Sequence, residues 1–153
     1  LNRIIKIGLF LIILFWCAGF FSEFLFPLSE KLIYLIPFLK TGYSFVCHQE
    51  GAKLITSGIY SSLVCSRCAG IYLGALAASG GILFIPRNVN VLNRYLFLSA
   101  FPMVFDVICT SLKIYNYTKT GAFFTGFLFG VVSFLYFYNA LLDLITELRD
   151  KTK

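Results

Sequence analysis

Two cysteines separated by a serine and an arginine, Cys65-Ser66-Arg67-Cys68, stand where a polar stretch gives way to an apolar run. A CxxC at the start of a helix sets its sulfurs against the first free backbone N–H groups and the positive end of the helix dipole. Both favour thiolate over thiol. Arg67 adds a fixed positive charge between the sulfurs, so a depressed thiol pKa is expected at Cys65 or Cys68. Upstream, Cys47-His48-Gln49 supplies a third sulfur and the one histidine of the chain. Three thiolates and an imidazole are a regular ligand set of structural zinc. Cys47, His48, Cys65 and Cys68 are therefore candidate metal ligands. Cys47 and His48 are neighbours whose side chains diverge, so one ligand from that pair comes more easily than two.

Composition sets the elements that must position these residues. Of 153 residues, 59% are hydrophobic, 18% aromatic and 13% charged, and the mean hydropathy is +0.84. A soluble domain carries about 25% charged residues. The chain reads as a single integral membrane domain, 1–153, which excludes a soluble enzyme, a disordered protein and a multidomain receptor. The net charge of +6 comes from Lys and Arg scattered between apolar runs, where they anchor loops at the interface and do not form a nucleic-acid surface. Cys17 and Cys109 lie inside apolar runs and read as small buried hydrophobes.

Four segments are long and apolar enough to span. The first, 7–26, follows Arg3 and Lys6 and contains one charge, Glu23. It offers no A-x-A-like cleavage site, so it is expected to be a retained helix. Because the chain begins at Leu1, a few native residues are expected to precede it. Pro27 stops this helix, and Leu28 to Leu39 is too short to span and suits an interfacial or re-entrant helix. The stretch 41–64, broken by Gly42, Gly51 and Gly58, reads as a loop that holds the Cys-His-Gln motif. Further spans are expected at 65–84, closed by Pro86 and the polar run Arg87 to Asn90; at 95–112, with Pro102 as a kink and Asp106 inside; and at 120–142. A charged, fraying tail is expected from Asp143. The fold class is thus all-α: a four-transmembrane-helix bundle with a short interfacial or re-entrant helix in the first loop.

Four spans put both termini on one side. With the termini in the cytoplasm of a prokaryotic cell, the inner segments hold Arg3, Lys6, Arg87, Arg94, Arg149, Lys151 and Lys153. The outer ones hold the smaller set Lys31, Lys40, Lys53, Lys113 and Lys119. The positive-inside rule favours this orientation in the plasma membrane, with the cysteine-histidine loop extracytoplasmic. Gly70, Gly74 and Ala78 recur every fourth residue in the second span, and Gly126 and Gly130 in the fourth. Such stripes let helices approach closely. They predict packing inside the bundle, with a homo-oligomer seam through Gly70/Gly74/Ala78 as the alternative.

In this topology the unusual polar residues converge at the outer boundary. Asp106 lies about 9 Å below the outer end of its span at the helical rise, within reach of Arg67. A carboxylate in lipid is costly and is by default a functional candidate, so Asp106, Arg67 and Tyr72 are candidate catalytic residues and Asp106 with Arg67 a candidate ion pair. Gln49, Asn116 and Lys119 are the substrate or ion-pair candidates on the same face.

At these residues the chain resembles an uncharacterised family of small bacterial and archaeal predicted membrane proteins, one of the domain-of-unknown-function families. The resemblance rests on Cys47-His48-Gln49, on C-x-R-C-x-G-I-Y-x-G at Cys65, Arg67, Cys68, Gly70, Ile71, Tyr72 and Gly74, on Asp106, and on Asn116 with Thr120-Gly121. It runs from about Tyr43 to Gly130. Tyr117 and Lys119 stand where members carry an Arg. The resemblance implies a membrane protein with a site at these residues and brings no reaction with it.

Three functions remain open. In the first, Cys47, Cys65, Cys68 and His48 hold zinc and pin the first loop to the bundle, with an open coordination position as the catalytic variant. In the second, the chain is a membrane thiol-disulfide oxidoreductase, with Cys65 and Cys68 cycling, Cys47 relaying electrons from a redox partner, and a quinone as acceptor; its plan looks like that of vitamin K epoxide reductase. The third is a transporter or channel subunit with Asp106 as an ion site. Whether the protein is an enzyme is not decided by the sequence, which lacks a Walker loop, a dinucleotide-binding turn and an H-E-x-x-H.

Overall fold

Apolar run length predicts four long helices, and four are found among the described residues. The computed structural model describes residues 2–24, 34, 36–57, 60–84 and 93–151. Helix α1 is Asn2–Phe20, α2 Ile36–Ser44, α3 Ser66–Phe84, α4 Asn93–Ser111 and α5 Lys119–Lys151. All but α2 are long and apolar enough to cross a membrane, and the protein is an integral membrane protein. Large apolar side chains on α1 and α4, among them Ile12, Phe15, Phe97, Phe101 and Phe105, are exposed. On a soluble protein such faces would drive aggregation; in a bilayer they meet lipid.

The boundaries differ from expectation for local reasons. Helix α1 ends at Phe20 and is followed by a 3-10 turn at 22–24, because Glu23 leaves the helix to hold another segment (below). The short helix is Ile36–Ser44, with Pro37 in its first turn, where a missing N–H costs nothing. Residues 28–33 and 35 of the expected interfacial segment lie outside the described residues, as do residues 25–27 with Pro27, Pro86 and the run Arg87 to Asn90. Through the charged tail from Asp143, α5 continues as helix to Lys151, with Lys151 Nζ 2.9 Å from Glu147 Oε1 one turn earlier, a spacing that supports exposed helix. At about 1.5 Å per residue, 33 residues exceed the roughly 30 Å hydrocarbon core. Part of α5 therefore extends beyond the hydrocarbon. Helix α4 runs through Pro102 as one helix.

A two-stranded hairpin adds to the helical fold where a loop is expected. Strand β1, Leu54–Ser57, pairs antiparallel with β2, Tyr60–Cys65, with an irregularity between Leu54 and Thr56. Ser62 repairs that break, its buried hydroxyl accepting the Ile55 N–H at 3.0 Å and donating to the Val64 carbonyl at 2.7 Å. Glu23 Oε2 accepts the Ser61 N–H and hydroxyl at 3.0 and 3.1 Å, tying the hairpin to the end of α1.

Helix α3 packs against both α1 and α5, and α5 packs against α4. The small-residue stripes make the α3–α5 seam. A Cβ at Gly70 or Gly74 would overlap the carbonyl oxygens of Phe123 and Phe127, and one at Gly126 or Gly130 those of Arg67 and Ile71. Gly70, Gly74 and Ala78 are buried in this seam. In this chain α5 occupies the stripe through which the alternative would run a homo-oligomer seam. Helix α1 runs antiparallel to α3, with Lys6 Nζ donating to the Ile82 carbonyl at 3.1 Å and Cys17 Sγ to that of Tyr72 at 3.7 Å. Among the described residues two buried clusters result. One joins Cys17, Phe20, Tyr43, Cys47, Leu63, Val64 and Ala69 beside the hairpin; the other joins Ala78, Ile82, Phe134, Tyr138 and Leu142 toward the opposite end.

Candidate metal centre

Three separate pieces of chain deliver the sulfurs. Helix α2 ends as the Val46 and Cys47 N–H groups fold back onto the Tyr43 carbonyl at 3.1 and 2.9 Å, which turns Cys47 into the interior. Gln49 then adopts φ of 47°, in the left-handed region, and its side-chain nitrogen donates to the Lys40 and Leu63 carbonyls, each at 3.0 Å. This strapping holds the end of α2 against β2. Cys65 closes β2 immediately before α3, and Cys68 lies in the first turn of α3.

The ligating atoms of Cys47, Cys65 and Cys68 all lie within 4.8 Å of one another. Sulfurs bound to a tetrahedral zinc at about 2.3 Å sit about 3.8 Å apart, so about 1 Å of side-chain adjustment closes the set on a metal. The Cys65 N–H donates to Cys47 Sγ at 3.2 Å. Cys65 occupies the N-cap position of α3. Its thiol is held well below the usual thiol range, first by the hydrogen bond from the Cys68 side chain, against burial, and then by the Cys68 and Arg67 N–H groups and Cys47. Sulfur at a helix N-cap, bonded by backbone N–H groups, is an environment for thiolate. The donor set is three soft sulfurs, chemically suited to a thiophilic cation.

His48 is exposed and lies outside this group. The Cys-His pair contributes its sulfur to the cluster. Gln49 is a strap between backbone carbonyls, and Tyr72 packs its ring against Trp16 and Phe20. Asn116 and Lys119 are both exposed. Lys119 lines an open cleft of about 280 Å³ with Ile55, Thr56, Ser66, Thr120 and Phe123.

Arg67 and Asp106 do form an ion pair, with side chains 17% and 9% exposed. Tyr115 donates its hydroxyl to the other Asp106 oxygen. What brings Tyr115 back is the end of α4: Lys113 has φ of 55°, its N–H reaches the Thr110 carbonyl at 3.2 Å, and the Ile114 N–H reaches that of Cys109 at 3.0 Å. These are the two bonds of a Schellman turn. The same loop places the Tyr117 hydroxyl 2.5 Å from Ser66 Oγ and its ring 5.8 Å from the Arg67 guanidinium carbon. Sequence reasoning misses Tyr115, Tyr117, Ser66 and the Glu23–Ser61 tie. The one signal available is a pair of tyrosines two residues apart just beyond a span that carries a carboxylate.

No solved structure matches the chain. It is similar to an uncharacterized protein, MJ1492, of the archaeon Methanocaldococcus jannaschii, with 27% identity over 106 residues, covering 67% of this chain and 68% of the relative. Residues 47–136, from the first cysteine of the cluster into α5 and including Arg67 and Asp106, match the family described as "Predicted membrane protein (DUF2085)", and the chain belongs to that family.

Proposed function

We propose that this membrane protein binds zinc through the thiolates of Cys47, Cys65 and Cys68 at the extracytoplasmic boundary, and that the metal clamps the first loop and hairpin onto the bundle. The observation that carries this reading is the convergence of three sulfurs from three chain segments, two of them accepting backbone N–H groups. The excess of Lys and Arg in the segments on the opposite side supports the extracytoplasmic placement. Among the described residues no further Cys, His, Asp or Glu joins the group, so a tetrahedral ion has its fourth position free for a light-atom ligand. Bound there, zinc would act as a cross-link and as a Lewis acid.

The test is zinc content of full-length protein purified in detergent without chelator, with a free-thiol count on the same sample. About one zinc per chain is expected, lost in Cys47→Ser and in Cys65→Ser. Absence of metal together with two thiols fewer than the five cysteines would overturn it.

That second outcome would favour a thiol-disulfide oxidoreductase. The Cys65 and Cys68 sulfurs, within 4.8 Å of each other, support this reading. Oxidation of the two thiols to one disulfide would release two electrons and two protons to a quinone, giving the quinol. The transporter reading is weaker, because Arg67 and Tyr115 already engage the Asp106 carboxylate.

A further inference from the structure

The buried ion pair is poorly explained as a source of stability. Desolvating both charges offsets most of their attraction, and a well-packed apolar pair commonly holds two helices as well. An apolar pair cannot hold a guanidinium plane in one place.

Arg67 is fixed at two points. Its carbonyl lies against Gly126, where a Cβ would overlap the oxygen. Its guanidinium meets Asp106 and lies over the Tyr117 ring. Asp106 is itself oriented, with one oxygen on Arg67 and the other taking the Tyr115 hydroxyl. Thr110 Oγ1 donates to its carbonyl at 2.7 Å. Arg67 stands between two of the three sulfurs, so whatever fixes Arg67 fixes the turn that carries them.

We propose that Asp106 is a positioning residue for the thiolate centre: through Arg67, and with Tyr115 and Tyr117, it holds the Cys65–Cys68 turn in ligating geometry. This rests on the metal reading above and deepens it by extending the site to the α4–α5 loop. Groups one bond removed from metal ligands commonly set affinity by about ten- to a hundredfold.

The experiment uses full-length protein in detergent, stripped of metal and titrated with Co²⁺, read by thiolate-to-cobalt absorption and by competition with a chelator. Thermal stability is recorded in parallel. Asp106→Asn is expected to weaken Co²⁺ binding about tenfold and to shift the absorption bands. The double variant Arg67→Met/Asp106→Leu is expected to regain stability without regaining affinity. Phe134→Leu, in the distant cluster, should lower stability and leave the spectrum unchanged. Recovery of affinity along with stability in the double variant, or an unchanged spectrum in Asp106→Asn, would overturn the proposal. Absence of cobalt–thiolate absorption in the unaltered protein would refute the metal reading instead. In that case alkylation of metal-free protein decides the positioning role: Cys65 should label several-fold faster in Asp106→Asn while Cys109 is unchanged, and equal rates at Cys65 would overturn it.

Discussion

Replacing Gly130 by alanine tests the α3–α5 seam on which the site is built. The added Cβ would overlap the Ile71 carbonyl oxygen and come within 2.8 Å of the Ile71 carbonyl carbon and Cα. All are backbone atoms of a facing helix and cannot swing aside, so the helices must part. Overpacking of this kind costs about 1–3 kcal/mol. Alanine also gains about 1 kcal/mol of helix propensity over glycine, which confuses the sign of a single measurement. Gly81 supplies the control, since it lies in α3 and a Cβ there meets nothing within 4 Å. Gly81→Ala takes the propensity gain alone, and the difference between the two variants isolates packing. At about 2–4 °C per kcal/mol for a chain of this size, Gly130→Ala should melt several degrees below Gly81→Ala in detergent, followed by circular dichroism. Equal melting temperatures would refute the close packing.

Glu23→Ala removes a carboxylate that accepts two hydrogen bonds from Ser61. Hydrogen bonds to charged groups contribute about 1.5–3 kcal/mol, so amide exchange in residues 60–65 should accelerate more than tenfold while exchange in α5 is unchanged. Gln49→Ala loses two hydrogen bonds and places alanine at φ of 47°; thermal stability should fall by about 2 kcal/mol, and Gln49→Gly, which relieves only the backbone, should recover part of it. In metal-free protein the lowered Cys65 thiol should be thiolate at neutral pH. Its alkylation rate should stay nearly flat from pH 7 to 9, where an ordinary thiol of pKa about 8.5 gains more than tenfold.

The spans were legible because apolar run length is a local property that lipid enforces. The cysteine cluster and the Arg67–Asp106 pair were legible because both follow from knowing which ends of the spans share a side. The hairpin was hidden: β1 has four residues and β2 six, and nearby glycines read as breakers. Its stability comes from Glu23 and Ser62, contacts that no local periodicity encodes. The separation of His48 from the sulfurs depends on the turn after α2 and on the left-handed conformation at Gln49. The roles of Tyr115 and Tyr117 depend on a Schellman turn that uses Lys113 where glycine is the usual signal.

Whether the three sulfurs form one metal centre is read from X-ray absorption at the zinc edge, on full-length protein in detergent. A centre of this kind gives a shell of three sulfurs at about 2.3 Å with a single nitrogen or oxygen at about 2.0 Å, and loses one sulfur in Cys47→Ser. A shell of nitrogen and oxygen alone, or a zinc environment unaltered by Cys47→Ser, would contradict it.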